Sequence, residues 1–463
     1  MPVRKSRISN LESYMYDLIV IGAGPGGYEA AALAGKMGVN TALIEKEFIG
    51  GSCLNVGCIP TKTFLRSSRL FAECRNGDAY GVEIPSAVFN LEAVVRRKNK
   101  VVATLTRGIE GLLKRNGVKV IRGQAQLVSR QSVRVGEETY ETKNILIATG
   151  SRPAVPPIPG IDSKCVLDSS AVLDLTELPE KAVIIGGGYV GLEFAGFFAS
   201  TGVEVTVIEM LPQIASGFDA DLSGRLQQAL KRSGVVFKMS HKVTAVENGT
   251  VHYEDPGGAP GSIGADCILN ATGRVPVVEG LGLETVGIEF GRKGIKTSDE
   301  GKTNVPGIWA CGDVTGRLML AHVATREGVA AVHTIVGKED RIRYDAIPAV
   351  IYTDPEAASV GKTESELQAL GVEYQKAIVP MGVSGRFLVE NEGGSGMVKV
   401  LARTADRKIL GVHLLGNLSS EFIVTAAQMI ENEMCIADAI KVVYPHPTVC
   451  EALKQGLLEL ATK

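Results

Sequence analysis

The hydrophobic pattern near the start of the chain predicts a strand, a turn, a helix and a second strand in close succession. The apolar run LIVI at 18–21 is a short buried-strand candidate, and it leads directly into the glycine-rich segment GAGPGG. The alanine-rich segment 28–37 predicts a helix that ends at Gly38, because glycine is common just beyond a helix C-terminus. The run 41–44 predicts the second strand, which closes on Glu45.

The same order of elements returns further along the chain, over 183–209. Laid over each other at an offset of 164, residues 21–45 and 185–209 are identical at ten positions. A second echo pairs ILIATG at 145–150 with ILNATG at 268–273. The chain is therefore predicted to hold two related nucleotide-binding units, each ending in an Ala-Thr-Gly strand and turn.

Proline content and changes of pattern predict the domain boundaries. Residues 151–160, SRPAVPPIPG, contain four prolines and are typical of a linker. After about residue 345, strand-like and helical runs predict a separate α+β domain; the runs are 397–403, 409–415, 420–431 and 451–460. The predicted fold is α/β, with two Rossmann-like domains and a C-terminal α+β domain. The predicted boundaries are 1–150 and 151–275 for the nucleotide-binding domains, 276–345 for a segment that returns to the first, and 346–463 for the last domain.

Composition narrows the classes of function. Glycine accounts for 54 of 463 residues, about 12% against a usual ~7%, and its excess has no collagen-like period. Lys+Arg 49 against Asp+Glu 51 gives a net charge of -2, which argues against broad electrostatic capture of nucleic acid or of an acidic membrane. No stretch approaches the ~18 apolar residues of a membrane helix. Eight cysteines are too few for a disulfide scaffold, so a cytoplasmic location with mostly reduced thiols is expected. The basic N-terminal segment lacks the apolar core of a secretory signal, and Glu12 and Asp17 count against a transit peptide.

Each glycine loop has the GxGxxG spacing of a dinucleotide site. Such glycines allow a tight turn, close approach of backbone to pyrophosphate and close packing of helix on strand, while the helix N-terminus supplies N–H groups. In each copy an acidic residue lies 18 positions beyond the third glycine, near the ~20 expected of a carboxylate that bonds the adenosine ribose. The predicted residues are Gly22, Gly24, Gly27 and Glu45 in the first copy and Gly186, Gly188, Gly191 and Glu209 in the second.

Glu209 also bears on the choice of cofactor. A carboxylate accepts the 2′- and 3′-hydroxyls of NAD but repels the 2′-phosphate of NADP, and the next four residues, MLPQ, supply no arginine. The sequence therefore predicts NAD.

Two cysteines, Cys53 and Cys58, lie in the segment GGSCLNVGCIPTK. Five residues of ideal helix turn through about 500°, so their side chains would point about 140° apart, and a disulfide needs an interrupted helix. Gly50, Gly51 and Gly57 give the backbone that freedom. A metal site would need two more ligands, and the segment offers no partnering Cys or His pair, so no metal is predicted. Two isolated core thiols are one interpretation; beside a dinucleotide site, a reversible dithiol that exchanges two electrons is favoured.

Thiol chemistry at neutral pH calls for a base, because a free thiol titrates near ~8.5. Of six histidines, His446 stands in Tyr-Pro-His-Pro-Thr, with Glu451 five residues further on. A carboxylate bonded to one ring nitrogen would fix the tautomer and raise the basicity of the other nitrogen. On the residues alone, a structural histidine is favoured over an acid–base one.

Together these motifs resemble the pyridine nucleotide–disulfide oxidoreductases. The resemblance rests on GGSCLNVGCIPTK, both GxGxxG loops, ACGDVTGRLMLAH and YPHPTVCE, and it extends from Tyr16 to about Leu460. Within the family the chain most resembles the dihydrolipoamide dehydrogenases, which implies oxidation of protein-bound dihydrolipoamide through a Cys53–Cys58 disulfide and FAD, with reduction of NAD⁺. The alternatives are a disulfide reductase of the glutathione or mercuric type and a non-catalytic flavoprotein subunit. Glu209 counts against the glutathione type, and the thiol-free ending LLELATK counts against the mercuric type.

The resemblance implies a cofactor for each loop: FAD for the first and NAD for the second. The further FAD positions that it implies are Lys62, Gly123, Thr149, Gly150, Ser151, Asp313, Met319, Leu320, Ala321 and His322. The further NAD positions are Glu193, Val243 and Gly273. Lys62 and Glu193 match the positions of an ion pair that lies beside the reactive nitrogen of the flavin in related proteins. On the residues alone, the helix dipole explains an acidic residue at position 193 equally well.

The resemblance also implies roles and partners. Cys58 lies against the flavin, Cys53 exchanges with the substrate disulfide, and Glu451 holds His446 as the acid–base group. In the family this histidine reaches the dithiol of the other subunit, which implies a homodimer. Because no lipoyl-bearing domain precedes Gly22, the lipoyl group is expected on a protein of a 2-oxo acid dehydrogenase or glycine cleavage complex. The other six cysteines are expected to be buried thiols.

Overall fold

The structure, a computed structural model, describes residues 15–462. The expectations about a signal or transit sequence concern the N-terminal segment 1–17, of which residues 1–14 lie outside the described part of the chain. The described chain divides into two compact units. The first unit comprises the residues up to 55, 103–152 and 275–342, and the second comprises 56–102, 153–274 and 343 onward.

The first unit is built on a sheet whose central strand is Met15–Ile21. Leu18, Ile19 and Val20 on this strand are fully buried, because helices cover one face and further strands and loops cover the other. In spatial order the sheet runs Lys119–Arg122, Thr41–Glu45, Met15–Ile21, Glu138–Ile147, Ser132–Val135 and Ala125–Ser129, with Ile308–Ala310 also paired to Glu138–Ile147. The first four strands and Ile308–Ala310 are mutually parallel, and the other two pair antiparallel.

The helix Pro25–Lys36 lies between the strands Met15–Ile21 and Thr41–Glu45 along the chain, which is the order of a nucleotide-binding fold. The helices of the first unit are Pro25–Lys36, Leu283–Val286 and Ala321–Ile335, and a small hairpin is formed by Phe290–Gly291 and Gly294–Ile295. Gly51–Val56 and Leu91–Arg115 run across the boundaries of the unit along the chain, and the short strands Ser151–Pro153 and Arg274–Pro276 stand at two further boundaries.

The second unit contains the second nucleotide-binding sheet. This parallel sheet runs Val235–Met239, Glu204–Glu209, Lys181–Ile185, Cys267–Asn270 and Val166–Leu167. An antiparallel sheet follows, formed by Lys242–Glu247, Thr250–Glu254 and Pro260–Gly264. The helices before residue 345 are Cys58–Arg75, Tyr189–Ser200 and Ala220–Arg232.

The C-terminal part of the second unit is the predicted α+β domain. Its antiparallel sheet runs Ala349–Ile351, Ala357–Gly361, Ile409–Leu415, Met397–Arg403 and Tyr374–Pro380. Its helices are Glu364–Ala369, Gly385–Glu390, Ser419–Glu431, Ile436–Ala439 and Glu451–Ala461. The predicted α/β fold, with two dinucleotide-binding sheets and a C-terminal α+β domain, is confirmed. No helix within residues 15–462 has the length and apolar character needed to cross a bilayer.

A buried charge cluster ties the second nucleotide-binding domain to the C-terminal domain. The ammonium of Lys399, which is 1% exposed, lies 2.7 Å from Asp219 Oδ1, 2.7 Å from Asp221 Oδ2 and 2.6 Å from Glu364 Oε2. Burial alone would raise the pKa of Glu364, but hydrogen bonds from Lys376 and Lys399 hold it at about 2. Removing the ammonium would leave the buried carboxylate of Asp219 without this partner, so the cluster stabilises the contact between the two domains.

Candidate functional site

The first and third glycines of both loops are required by packing. Gly22 and Gly186 have φ of +102° and +109°, a region that side-chain-bearing residues rarely adopt. A Cβ on Gly27 would lie 1.8 Å from the carbonyl oxygen of Gly22, and one on Gly191 would lie 2.0 Å from that of Gly186. Each helix therefore packs against its own turn at a distance that only glycine allows.

The middle glycines, Gly24 and Gly188, are different. Both are extended, with φ of -70° and -86°, and a Cβ built on either would have no atom within 4 Å. They are the N-cap residues of Pro25–Lys36 and Tyr189–Ser200, where first-turn N–H groups point outward. The protein itself does not demand glycine here, so the open space at each helix N-terminus fits a pyrophosphate group. Both loops thus fit a dinucleotide.

Glu45 closes the first loop from the end of its strand. Its buried carboxylate accepts the N–H of Ala23 at Oε2 (2.6 Å) and that of Glu47 at Oε1 (2.7 Å). Gly123 lies beside it, since the N–H of Gly123 donates to the carbonyl of Glu45 at 3.0 Å. Because a carboxylate has about four acceptor sites, Glu45 can still accept hydroxyl groups of a ribose.

Glu209 repeats this arrangement in the second loop. Its Oε2 accepts the N–H of Gly187 at 2.6 Å, and its Oε1 accepts the N–H of Leu211 at 2.7 Å. Gly187 and Leu211 lie 164 positions beyond the partners of Glu45, so the internal repeat extends to individual hydrogen bonds. Gly273, with φ of +121°, and the buried Val243 belong to the same unit.

A second turn of the first unit brings several predicted residues together. Ser151 donates its hydroxyl to Asp313 Oδ2 at 2.5 Å, and Thr149 and Gly150 precede Ser151 in the turn after the strand Glu138–Ile147. Met319, Leu320, Ala321 and His322 lie at the start of the helix Ala321–Ile335.

Glu327, on the helix Ala321–Ile335, was not predicted from the sequence. This carboxylate is 2% exposed, and its Oε2 accepts the N–H of Gly312 at 2.5 Å. It thereby holds the turn that carries Asp313. The only signal in the sequence is an acidic residue on a helix face otherwise made of small apolar residues, among them Ala324, Gly328 and Ala331.

The two cysteines of the redox motif lie on separate helices. Cys53 is on Gly51–Val56, Cys58 begins Cys58–Arg75, and Gly57 interrupts the helical path between them. Both side chains are half-buried. The helix is therefore interrupted between the two cysteines, as a disulfide between them requires. The disulfide itself stays a prediction.

Lys62 and Glu193 form the ion pair that the resemblance implies. The ammonium of Lys62 lies 2.9 Å and 2.8 Å from the two carboxylate oxygens of Glu193, whose side chain is 7% exposed. Tyr352 completes the arrangement: its backbone N–H donates to Glu193 Oε1 at 3.1 Å, and its ring centroid lies 4.4 Å from the Lys62 ammonium. The sequence contains no signal for Tyr352, because it lies 159 positions from Glu193.

His446 and Glu451 are in contact. His446 Nδ1 lies 3.0 Å and 3.2 Å from the carboxylate oxygens of Glu451, and the backbone N–H of Thr448 donates to Glu451 Oε2 at 2.9 Å. The hydrogen bonds from Thr448 and then from His446 lower the pKa of Glu451. Since an ionised carboxylate can only accept, Nδ1 carries the proton, and Nε2 of the 79% exposed imidazole is left as the basic nitrogen.

The expectation that the other six cysteines are buried is wrong for most of them. Cys267 and Cys311 are buried, whereas Cys165 is exposed and the others are half-buried. A hydrogen bond with Ser163 lowers the pKa of the Cys165 thiol. Among residues 15–462, no three His, Cys, Asp or Glu side chains cluster as ligands for a metal ion.

Comparisons with known proteins agree over nearly the whole chain. The family described as pyridine nucleotide-disulphide oxidoreductase matches residues 16–328, and the dimerisation domain of that family matches 347–456. Dihydrolipoyl dehydrogenase 3 of Pseudomonas aeruginosa is 40% identical, with 96% of this chain and 98% of that protein covered. The mitochondrial dihydrolipoyl dehydrogenase of Pisum sativum is also 40% identical, with 96% and 91% covered.

Two solved structures extend the comparison to three dimensions. LpdA of Mycobacterium tuberculosis has a TM-score of 0.88 at 27% identity, with 96% of this chain and 99% of that chain covered. The HOCl-induced flavoprotein disulfide reductase RclA of Escherichia coli has a TM-score of 0.84 at 28% identity over the same shares of each chain. The chain belongs to the pyridine nucleotide-disulphide oxidoreductase family, and it carries the dimerisation domain of that family.

Proposed function

We propose that the protein oxidises protein-bound dihydrolipoamide to lipoamide and passes the two electrons through FAD to NAD⁺. The observation that carries this proposal is the contact between His446 and Glu451, at 3.0 Å and 3.2 Å. An imidazole held in this way is a base for a thiol, which a non-catalytic flavoprotein would not need. The relatives named dihydrolipoyl dehydrogenase support the choice of substrate.

The first half-reaction is thiol–disulfide exchange. Nε2 of His446 takes a proton from one thiol of dihydrolipoamide, and the resulting thiolate attacks Cys53 of the Cys53–Cys58 disulfide. That bond breaks and leaves a mixed disulfide with Cys53 and a thiolate on Cys58. The second thiol of the substrate then displaces Cys53, which releases lipoamide and leaves two reduced cysteines. Glu451 stabilises the imidazolium that forms at each proton transfer.

The second half-reaction carries the electron pair to the nucleotide. With FAD bound, the flavin would supply two-electron chemistry between the reduced cysteines and NAD⁺: the disulfide would re-form, NAD⁺ would gain a hydride and one proton would be released. Gly22, Gly24, Gly27 and Glu45 would hold the FAD dinucleotide, with Ser151 and Asp313 as further binding residues. Lys62, fixed by Glu193, would supply a positive charge to the flavin.

The second loop binds NAD. Gly188 leaves room for the pyrophosphate, and Glu209 accepts the 2′- and 3′-hydroxyls of the adenosine ribose. Its carboxylate already accepts two backbone N–H groups and has acceptor capacity left. A 2′-phosphate would meet this charge at close range, so NADP binds poorly.

The proposed assembly is a homodimer in the cytoplasm, acting on lipoyl groups carried by a 2-oxo acid dehydrogenase or glycine cleavage complex. The dimerisation domain at 347–456 supports the dimer, as do its exposed apolar side chains: Val389 and Val443 are 72% and 87% exposed in the single chain. The cysteine content supports a reducing compartment.

A steady-state comparison of substrates tests the proposal. The FAD-loaded enzyme is expected to oxidise dihydrolipoamide with NAD⁺ at least about 100-fold more efficiently than with NADP⁺, because two charges repel across the Glu209 site. Reduction of glutathione disulfide by NADPH is the matched comparison. An efficient NADPH–glutathione reaction would contradict the proposal and favour the glutathione-type alternative.

The contrast between Gly188 and Gly191 yields a second test at the NAD loop. Gly188→Ala is expected to raise the KM for NAD⁺ about tenfold without changing Tm, because the new methyl group meets no protein atom within 4 Å but occupies the space of the phosphate. Gly191→Ala places its methyl group 2.0 Å from the Gly186 carbonyl oxygen and is expected to destabilise the fold by about 1–3 kcal/mol. Kinetics and thermal melts of the FAD-loaded variants measure both. An unchanged KM in Gly188→Ala would contradict the proposed position of the pyrophosphate.

A further inference from the structure

Ser384 links a short helix to the loop that carries His446. Its side chain is buried, at 2% exposure, at the N-cap of the helix Gly385–Glu390. Its hydroxyl oxygen accepts the N–H of Phe387 at 3.2 Å, and the hydroxyl donates to the carbonyl of Thr448 at 2.8 Å. This second bond spans 64 positions of sequence, so it joins two segments that only the tertiary fold brings together.

Thr448 is the residue through which Ser384 reaches the imidazole. The carbonyl of Thr448 accepts from Ser384, and the N–H of Thr448 donates to Glu451, the carboxylate that holds His446 Nδ1. The hydroxyl of Thr448 also donates to the carbonyl of Pro445 at 2.7 Å and so closes the turn around His446. Thr448 therefore sits between one fixed point, Ser384, and the pair Glu451–His446.

The hydrogen bond from Ser384 matters for His446 because Ser384 is buried and His446 is exposed. In the single chain, His446 is 79% exposed on its side chain, so packing within the chain does not hold its ring. Its position depends on Glu451, whose own orientation depends on the Thr448 N–H. Because Ser384 is almost inaccessible, no water can take the place of its hydroxyl. Removal of that hydroxyl leaves the Thr448 carbonyl without this donor.

We propose that Ser384 is a positioning residue for the acid–base pair. It acts through Thr448 on the orientation of Glu451, and through Glu451 on the position of the His446 imidazole. The inference rests on the proposed function, in which His446 is the base of the dithiol reaction.

Ser384→Ala tests the inference in the FAD-loaded enzyme. It is expected to lower kcat for dihydrolipoamide oxidation about 3- to 10-fold, the effect of one lost hydrogen bond. Reduction of ferricyanide by NADH, which bypasses the dithiol base, is expected to change less than about twofold. Ser384→Thr keeps the hydroxyl and is expected to restore kcat.

Two further variants make the outcome decisive. Thr363 caps the helix Glu364–Ala369 in the same way but does not contact Thr448, so Thr363→Ala controls for the loss of a helix cap. Should Ser384→Ala not fold, Ser384→Cys keeps the shape with a weaker donor and is expected to show a smaller effect of the same kind. An unchanged kcat, or a loss equal to that in Thr363→Ala, would overturn the inference. His446→Gln in the same assays distinguishes failure of this inference from failure of the proposed function. If this variant retains turnover, the proposed function itself is wrong.

Discussion

Replacing Cys58 by serine is expected to abolish NAD-linked oxidation of dihydrolipoamide, with a fall in kcat of about a thousandfold or more. An alcohol cannot form the disulfide that accepts two electrons from the substrate, and it cannot supply a thiolate at neutral pH. A fall of this size corresponds to at least about 4 kcal/mol in the activation free energy. Steady-state turnover of the FAD-loaded variant, followed as NADH formation, measures it.

Cys74 offers a matched control for Cys58. It lies on the same helix, Cys58–Arg75, and is also half-buried, but it stands outside every motif. Cys74→Ser is expected to retain near-normal turnover. Thiol titration under denaturing conditions, before and after reduction by NADH, should show two additional thiols in the wild-type enzyme and none in Cys58→Ser. Near-normal turnover in Cys58→Ser would remove the dithiol from the mechanism.

Replacing His446 by glutamine is expected to lower kcat for dihydrolipoamide by about 10²- to 10⁴-fold, the usual contribution of a positioned general acid–base group. Glutamine cannot take the thiol proton that Nε2 of the imidazole takes. Reduction of ferricyanide by NADH is expected to be nearly unaffected, because that reaction does not deprotonate a substrate thiol. A parallel loss in both reactions would indicate a structural histidine, the interpretation that the residues alone favoured.

The pKa of Glu451 sets the lower end of the pH range over which its carboxylate supports His446. This pKa is lowered, so the carboxylate stays charged as pH falls through the ordinary range of glutamate, and its support of His446 is lost only at lower pH. Glu451→Gln removes the charge at every pH and is expected to lower kcat/KM for dihydrolipoamide throughout the neutral range. His333 is a matched control: its Nδ1 lies 2.7 Å from Asp340 Oδ2, and no role is proposed for it. His333→Gln should leave kcat/KM unchanged.

Local motifs could be predicted from the sequence because their partners lie within one supersecondary unit. The strand, glycine turn, helix and acidic residue occur within about 30 positions, so the bonds of Glu45 and Glu209 to their own loops follow from the backbone path. The pairing of His446 with Glu451 spans five positions at the start of a helix. Backbone periodicity decides which of these side chains meet.

Contacts between residues far apart in the sequence could not be predicted from such spacing. The resemblance implied the pair Lys62 and Glu193, but nothing in the residues indicated Tyr352 beside it or Glu327 beneath the Asp313 turn. The expectation of burial was wrong for four of the other six cysteines for the same reason, since the burial of a cysteine depends on what the fold places over it.

The sequence by itself predicted the two nucleotide-binding units, the redox motif and the nearness of His446 to Glu451, because each is encoded in a short pattern whose geometry the local backbone dictates. The FAD cofactor and the acid–base role of His446 were implied by the resemblance to a family. The tertiary structure alone decided which glycines are required by packing and which leave space for phosphate. It alone joined Ser384 to Thr448 across 64 positions and Lys399 to Asp219 across 180. These contacts depend on how separate elements pack, and side chains far apart in sequence meet only where the completed core brings their elements together.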